Sequence, residues 1–243
     1  MDPRASSFGS AAALYDRVRP SYPPAALRWA LAPLGPGSWR VADIGAGTGI
    51  MTRLLVESGY EAVAIEPDDK MRARLVASSA SITVLPGRAE SLPVPDGGLD
   101  AAVAAQAYHW FDQEVAHAEL ARAIRPGGVF AAIWNDRDDE TGWVREYTRI
   151  IEGIRGPDHG RAVSYGDGFG PIEVERFPNP VRATPHGLVE LLRSRSYYLT
   201  ATPALRAELE AAVLALTREH PDLAGRDSFE LPYLTAVHRA VRA

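Results

Sequence analysis

The chain has 243 residues, 46% hydrophobic and 23% charged, which is ordinary globular usage and excludes a disordered or fibrous protein. The 26 Lys+Arg against 31 Asp+Glu leave a formal charge of −5, so no overall basic surface is offered to nucleic acid or anionic lipid. With no cysteine, disulfides, thiolate metal sites and cysteine nucleophiles are also excluded.

No apolar run approaches the ~20 residues that cross a bilayer, and the opening segment lacks a signal-peptide core, so a cytoplasmic protein is expected. Lys70 is the only lysine, which reads as coding bias given the Ala, Gly and Pro content; a solvated side chain is expected there.

In chain order, the first 38 residues read as helical pieces broken by Pro20, Pro23, Pro24, Pro33 and Pro36. Strands and helices then alternate. Apolar runs predict strands over 39–44, 61–65, 81–85, 99–107 and 129–134, and helical spacing predicts helices over 48–58, 68–80 and 113–124. Such alternation implies βαβ units, a parallel sheet covered by helices on both faces, and a ligand site at the carboxyl ends of the strands. After Asn135 the alternation stops. An amphipathic stretch within 136–154, a Gly-rich loop over 153–170, an extended segment over 172–184, helices over 185–195 and 203–220, and a last strand over 229–241 complete the reading.

The most informative segment is Val41-Ala-Asp-Ile-Gly-Ala-Gly-Thr-Gly, which follows a strand and opens a helix. Gly45 and Gly47 let the backbone turn tightly and approach a ligand, and Gly49 would allow close packing. The spacing is G-x-G-x-G, not the G-x-G-x-x-G of dinucleotide binders. Asp43, just ahead of the loop, would repel a pyrophosphate seated on the helix N-terminus and suits a cationic ligand such as an amino-acid ammonium. Glu66 ends the next strand, where a carboxylate can accept hydrogen bonds from both ribose hydroxyls. A nucleoside with a free ribose and a positive group, without phosphate, satisfies both; S-adenosylmethionine is such a molecule and NAD fits less well.

At these residues the chain resembles the class I S-adenosylmethionine-dependent methyltransferases, in the small-molecule branch of methyltransferase type 11 and trans-aconitate methyltransferase-like domains. The resemblance is carried by VADIGAGTGIMT (41–52), AIEPDDKM (64–71), GRAESLPVPDGGLDAAVAAQAYHWFD (87–112) and LARAIRPGGVFAAIWND (120–136). FGSAAALYDRVRPSYP (8–23), SRSYY (194–198) and ELPYLTAVHR (230–239) extend it to nearly the whole chain. It implies a Rossmann-like α/β fold: a seven-stranded, mostly parallel sheet with helices on both faces and an α-helical cap. One domain is expected, with lid helices over 1–38, a cofactor-binding core over 39–136, a cap and sixth-strand region over 137–228 and a final strand over 229–243.

The resemblance also implies roles. Asp43, Gly45, Ala46, Gly47 and Gly49 would meet the methionine part of the cofactor. Glu66, with Pro67 and Asp68 flanking, would hold the ribose. Ala89 and Glu90 would meet the adenine, and Gln106 the methionine end. The methyl group on a sulfonium is already activated, so alignment and water exclusion supply most of the catalysis. His109 is the candidate general base, its imidazole titrating near neutrality; the alternative is a wall residue packed beside Trp110. Tyr15, Tyr22, Tyr108, Trp110 and Trp134 are candidate substrate contacts, and Arg19 or Arg193 is a candidate carboxylate clamp against the plainer reading of solvated arginine. The segment Gln-Ala-Tyr-His at 106–109 departs from the Asn/Asp-Pro-Pro-aromatic motif of DNA-amine methyltransferases, which argues against DNA as substrate. His117, His159, His186, His220 and His238 show no metal spacing. Expected partners are a small-molecule acceptor, no DNA and no membrane, in a monomer or homodimer. The competing readings are a protein of this fold with a non-methylating role, as a cyclase or cofactor sensor, and an NAD-type oxidoreductase.

Overall fold

The structure is a computed structural model, and it describes residues 12–78, 82–152 and 163–243. Residues 8–11 of the leading motif and His159 lie outside these. Among the described residues, a seven-stranded sheet runs in the order β3-β2-β1-β4-β5-β9-β6, and β7 and β8 form a separate antiparallel pair. The strands are β1 (Arg40–Ile44), β2 (Glu61–Ile65), β3 (Thr83–Leu85), β4 (Leu99–Ala105), β5 (Ile124–Arg137), β6 (Glu173–Pro178), β7 (Val181–Ala183), β8 (Phe229–Leu231) and β9 (Tyr233–Val241). The pairings β3–β2, β2–β1, β1–β4 and β4–β5 are parallel, and the order reverses at β1, between β2 and β4. The parallel strands match the alternation, and the seven-stranded order is the Rossmann-like architecture that the resemblance implies.

The chain divides into two compact units. The sheet unit comprises residues 21–135, 162–177 and 235–243. Its strands alternate sides. Val41, Ala101, Val103 and Ala131 pack on one face with Leu27 of α2 (Pro24–Leu31) and Leu55 of α3 (Ile50–Glu57). Ala42, Ile44, Ala102 and Ala132 pack on the other with Leu120 of α5 (Gln113–Ala123) and the aromatic rings of Tyr108, Phe130, Trp134 and Tyr165. Leu75 of α4 (Asp69–Ser78) packs with Ala46 and Ala64. Burial on both sides is why these strands read as unbroken apolar runs.

Among the described residues, the helical unit comprises 12–20, 136–152 and 178–234. Its core joins Trp143, Val144, Tyr147 and Ile151 of α6 (Gly142–Glu152) to Leu188 and Leu192 of α7 (Pro185–Arg193) and Val213 of α9 (Pro203–Glu219). Both α7 and α9 open with proline and are capped by threonine: Thr184 accepts from Gly187 N at 2.9 Å and Thr202 from Leu205 N at 3.3 Å. Val18 of α1 (Ala12–Val18) packs on this core.

Three boundaries differ from the sequence reading. The strand expected over 229–241 is broken at Pro232, which has no N–H to give a ladder; β8 pairs with β7 and only β9 joins the large sheet. The helix expected over 185–195 stops at Arg193, and Ser196–Thr200 is a separate short helix, α8. Residues 125–128, between the helix expected over 113–124 and the strand expected over 129–134, lie within β5, whose register with β4 shifts between Leu99 and Ala101. A Cβ on Gly128 would meet Ile124 Cγ2 at 2.4 Å and Asp100 O at 2.5 Å, so glycine is required by this close approach.

Candidate functional site

At the carboxyl end of β1 the chain turns through Gly45–Gly49 into α3. Gly45, Gly47 and Gly49 have φ of 69°, 57° and 89°, the left-handed region that favours glycine. Gly45 N and Ala46 N donate to Ile65 O at 2.8 and 3.2 Å, tying the loop to the end of β2. The three glycines differ in what a side chain would meet. A Cβ on Gly45 would lie 2.7 Å from Ala107 Cβ, and one on Gly49 2.8 Å from Leu75 Cγ. A Cβ on Gly47 would meet nothing within 4 Å. Gly45 and Gly49 are thus demanded by packing, while Gly47 faces open space.

Two carboxylates flank this loop. Asp43 is 1% exposed; its Oδ2 accepts a hydrogen bond from Thr52 Oγ1 at 2.6 Å, and its Oδ1 has no partner. Burial pushes the Asp43 carboxyl up to about 7, with the neighbouring Glu66 raising it further and the Thr52 bond opposing. Glu66 Oε2 accepts from Gly47 N at 2.8 Å and Oε1 from Asp68 N at 2.8 Å. Its carboxyl is also held above the usual range, first by burial. Thr48 Oγ1 is buried without a partner. The loop with the open Gly47 thus carries an orphaned hydroxyl at Thr48, and the strand leading into it an orphaned carboxylate oxygen at Asp43, where buried polar groups are normally satisfied.

The other expected cofactor contacts sit on the ends of neighbouring strands. Ala89 is buried. Glu90 Oε1 accepts from Asp112 N at 2.8 Å, which steadies the start of α5. Gln106 is the one non-glycine residue with positive φ (56°) among the described residues. Its N donates to Ile133 O at 2.8 Å and its Nε2 to Asn135 O at 3.1 Å. Holding a Cβ-bearing residue there costs ~1–2 kcal/mol, and such strain concentrates at functional sites. Asp68, expected beside the ribose, instead caps α4: its Oδ1 accepts from Lys70 N and Met71 N, each at 2.9 Å. Pro67 and Lys70 are exposed.

The expected substrate contacts do not form one group. Tyr108 and Trp134 are 2% and 1% exposed and stand edge to face in the core, 6.0 Å between centroids. Tyr108 Oη contacts His117 Nε2 at 2.8 Å and donates to Ser164 O at 2.5 Å. Tyr22 is buried against α2. These three are core aromatics, their rings packed among buried apolar residues, and Tyr108 also has its hydroxyl hydrogen-bonded. His109 is exposed, on a short turn with its ring 4.7 Å from that of Trp110. Tyr15 belongs to the helical unit, where the Arg19 guanidinium lies 4.7 Å over its ring. Arg193 is bound bidentately by Glu210 at 2.8 and 2.6 Å, so it is no free clamp. Sequence reading missed Thr48 and Thr52. A hydroxyl falling two residues into the helix after an acidic strand end was the available signal for Thr52.

Residues 42–132 match the methyltransferase domain family. An uncharacterized methyltransferase of Mycobacterium tuberculosis is 40% identical over 237 residues, covering 98% of this chain and 96% of its own. The solved structure of a proposed type II methyltransferase from Anaeromyxobacter dehalogenans superposes with a TM-score of 0.62 at 26% identity, over 92% of this chain and 96% of that one. A Haemonchus contortus phosphoethanolamine N-methyltransferase solved with S-adenosylhomocysteine shares the fold, with a TM-score of 0.56 at 17% identity, over 96% of this chain and 57% of that one. The chain belongs to the class I S-adenosylmethionine-dependent methyltransferases.

Proposed function

We propose that the protein transfers a methyl group from S-adenosylmethionine to an oxygen, nitrogen or carbon atom of a small acceptor, with the crevice at the β1, β2 and β4 strand ends as the cofactor site. The observation that carries this is the open Gly47 flanked by the unpartnered Asp43 Oδ1 and Thr48 Oγ1. Bound there, S-adenosylmethionine supplies a methyl group already activated by its sulfonium. Glu66 accepts from the ribose hydroxyls with its remaining lone pairs while its backbone bonds hold the carboxylate in place. Asp43 supplies negative charge for the amino-acid ammonium, and the backbone of Gly45–Gly49 stays close because no side chain intervenes at Gly47. Ala89 N–H and the second oxygen of Glu90 meet the adenine edge. Gln106, fixed by Asn135, sets the methionine end. His109, on the turn that follows Gln106, takes the acceptor's proton.

The test is calorimetry with S-adenosylhomocysteine, followed by assay of its formation from S-adenosylmethionine with candidate acceptors. Micromolar binding and acceptor-dependent turnover are expected. Failure to bind overturns the cofactor assignment, and binding without turnover on any acceptor favours a non-methylating role. His109→Ala should keep its affinity for S-adenosylhomocysteine and lose at least tenfold in turnover, about 1.4 kcal/mol of transition-state stabilisation. Unchanged rates across pH would make His109 a wall residue.

A further inference from the structure

In the helical unit Arg17 pairs with Glu190 at 2.5 Å and Arg193 with Glu210 at 2.6 Å, while Arg182 and Arg206 are held by a hydroxyl and by backbone carbonyls. Arg19 meets no carboxylate either. Its Nε donates to Ser194 Oγ at 3.0 Å and its terminal nitrogen to Ser194 O at 3.1 Å, and its other face is covered by Tyr15. Arg195, one residue beyond Ser194, keeps a buried Nε without any hydrogen-bond partner, and the buried hydroxyl of Tyr233 is equally unpartnered. The groups acting on these two guanidiniums are tyrosines, with Tyr197 among them, and in the case of Arg19 also the other arginine. Burial, and then the like charge of Arg195, push Arg19 down to about 10.

Two part-buried guanidiniums without a carboxylate partner leave N–H donors, the buried Arg195 Nε among them, for an anion to satisfy. A guanidinium presents a planar fork of N–H donors that matches a carboxylate or phosphate, and a tyrosine hydroxyl adds a further donor. Arg195 lies in SRSYY (194–198), one of the segments that carry the sequence resemblance, and Arg19 ends the leading helical stretch.

We infer that Arg19 and Arg195, with Tyr233, form an anion-binding site in the helical unit that takes a carboxylate or phosphate group. The site does not rest on the methyltransferase reading above.

The test uses the full chain at constant ionic strength, with inorganic phosphate, malonate and neutral dimethyl malonate as probes against chloride. Phosphate or malonate should raise the melting temperature and bind in calorimetry, dimethyl malonate should not, and the stronger of the two anions identifies the group recognised. Arg19→Gln and Arg195→Gln should each weaken that anion at least tenfold, while the exposed Arg17→Gln leaves it unchanged. S-adenosylhomocysteine affinity is measured in the same samples. Loss of anion binding with S-adenosylhomocysteine affinity intact supports the site and shows the variants folded. Wild-type protein that prefers neither anion to chloride overturns it, as do variants that bind like wild type. Should the glutamine variants fail to fold, a crystal grown with the better anion decides: density against both guanidiniums supports the site, and density elsewhere overturns it. Absence of S-adenosylhomocysteine binding in wild type would count against the cofactor assignment alone.

Discussion

The two units of this protein hold unpaired charge of opposite sign. In the sheet unit Asp43 and Glu66 are buried at strand ends and make no ion pair among the described residues, whereas in the helical unit Arg19 and Arg195 are part-buried without a carboxylate. They are held in different ways. Glu66 is gripped by two backbone N–H groups and Asp43 by a hydroxyl of the adjoining helix, all within a short span of chain. Arg19 rests on Ser194, 175 residues away in sequence. The acidic site is thus a property of a local loop, and the basic one of a fold that brings distant segments together.

The largest effect should come from breaking the loop that organises the acidic side. Gly45→Ala places a Cβ 2.7 Å from Ala107 at a φ of 69°. It should cost about 2–4 kcal/mol of stability and at least a hundredfold in S-adenosylhomocysteine affinity, about 2.7 kcal/mol, as read by thermal melting and calorimetry. Gly47→Ala, where the added Cβ finds open space, should cost less stability, and equal losses would remove the distinction between the two glycines. Glu66→Ala comes next, with a more than tenfold loss of S-adenosylhomocysteine affinity, the cost of a charged hydrogen bond to hydroxyls at ~1.5–3 kcal/mol. Unchanged affinity would take Glu66 out of the site.

The sign of the buried charge can be sharpened by pH. Burial holds Asp43 near 7 against an ordinary value of 3.8. Across that window the folded chain keeps a proton that the unfolded chain has released, so stability falls as pH rises from about 4 to about 7 and is level above it. Glu66, raised for the same reason, acts in the same direction. Asp43→Asn keeps an acceptor for Thr52 and removes the titration. The melting temperature of wild type should therefore drop more between pH 5 and pH 8 than that of the variant, and parallel curves would show that Asp43 titrates normally. The smallest effect is expected from Glu90→Ala. Losing the bond to Asp112 N should lower stability by ~0.5–1.5 kcal/mol, with a few-fold loss of S-adenosylhomocysteine affinity if the carboxylate also meets adenine; an affinity equal to wild type would leave Glu90 as a helix brace only.

The glycine loop, the acidic strand ends and the alternation of strands and helices were all legible in the sequence, because each is written in neighbouring residues: glycine where φ is positive, apolar runs where both sheet faces are covered, an acid where the strand ends. Asp68, Glu90, Tyr108 and Trp134 were harder. A carboxylate can cap a helix as readily as bind a ligand, and an aromatic ring can fill a core as readily as line a pocket; only the neighbours decide. Asp68 caps α4, Glu90 holds the start of α5, and the two rings are packed against each other.

Sequence by itself determined the parallel α/β core and the acidic glycine loop, since hydrophobic period and backbone conformation act over a few residues. Tertiary structure alone decided which arginines are neutralised and which are not. Arg193 and Arg195 are two positions apart and chemically identical, yet Glu210 engages the first and leaves the second unpaired. The free energy of a buried charge depends on what long-range folding places beside it, and no local pattern carries that information.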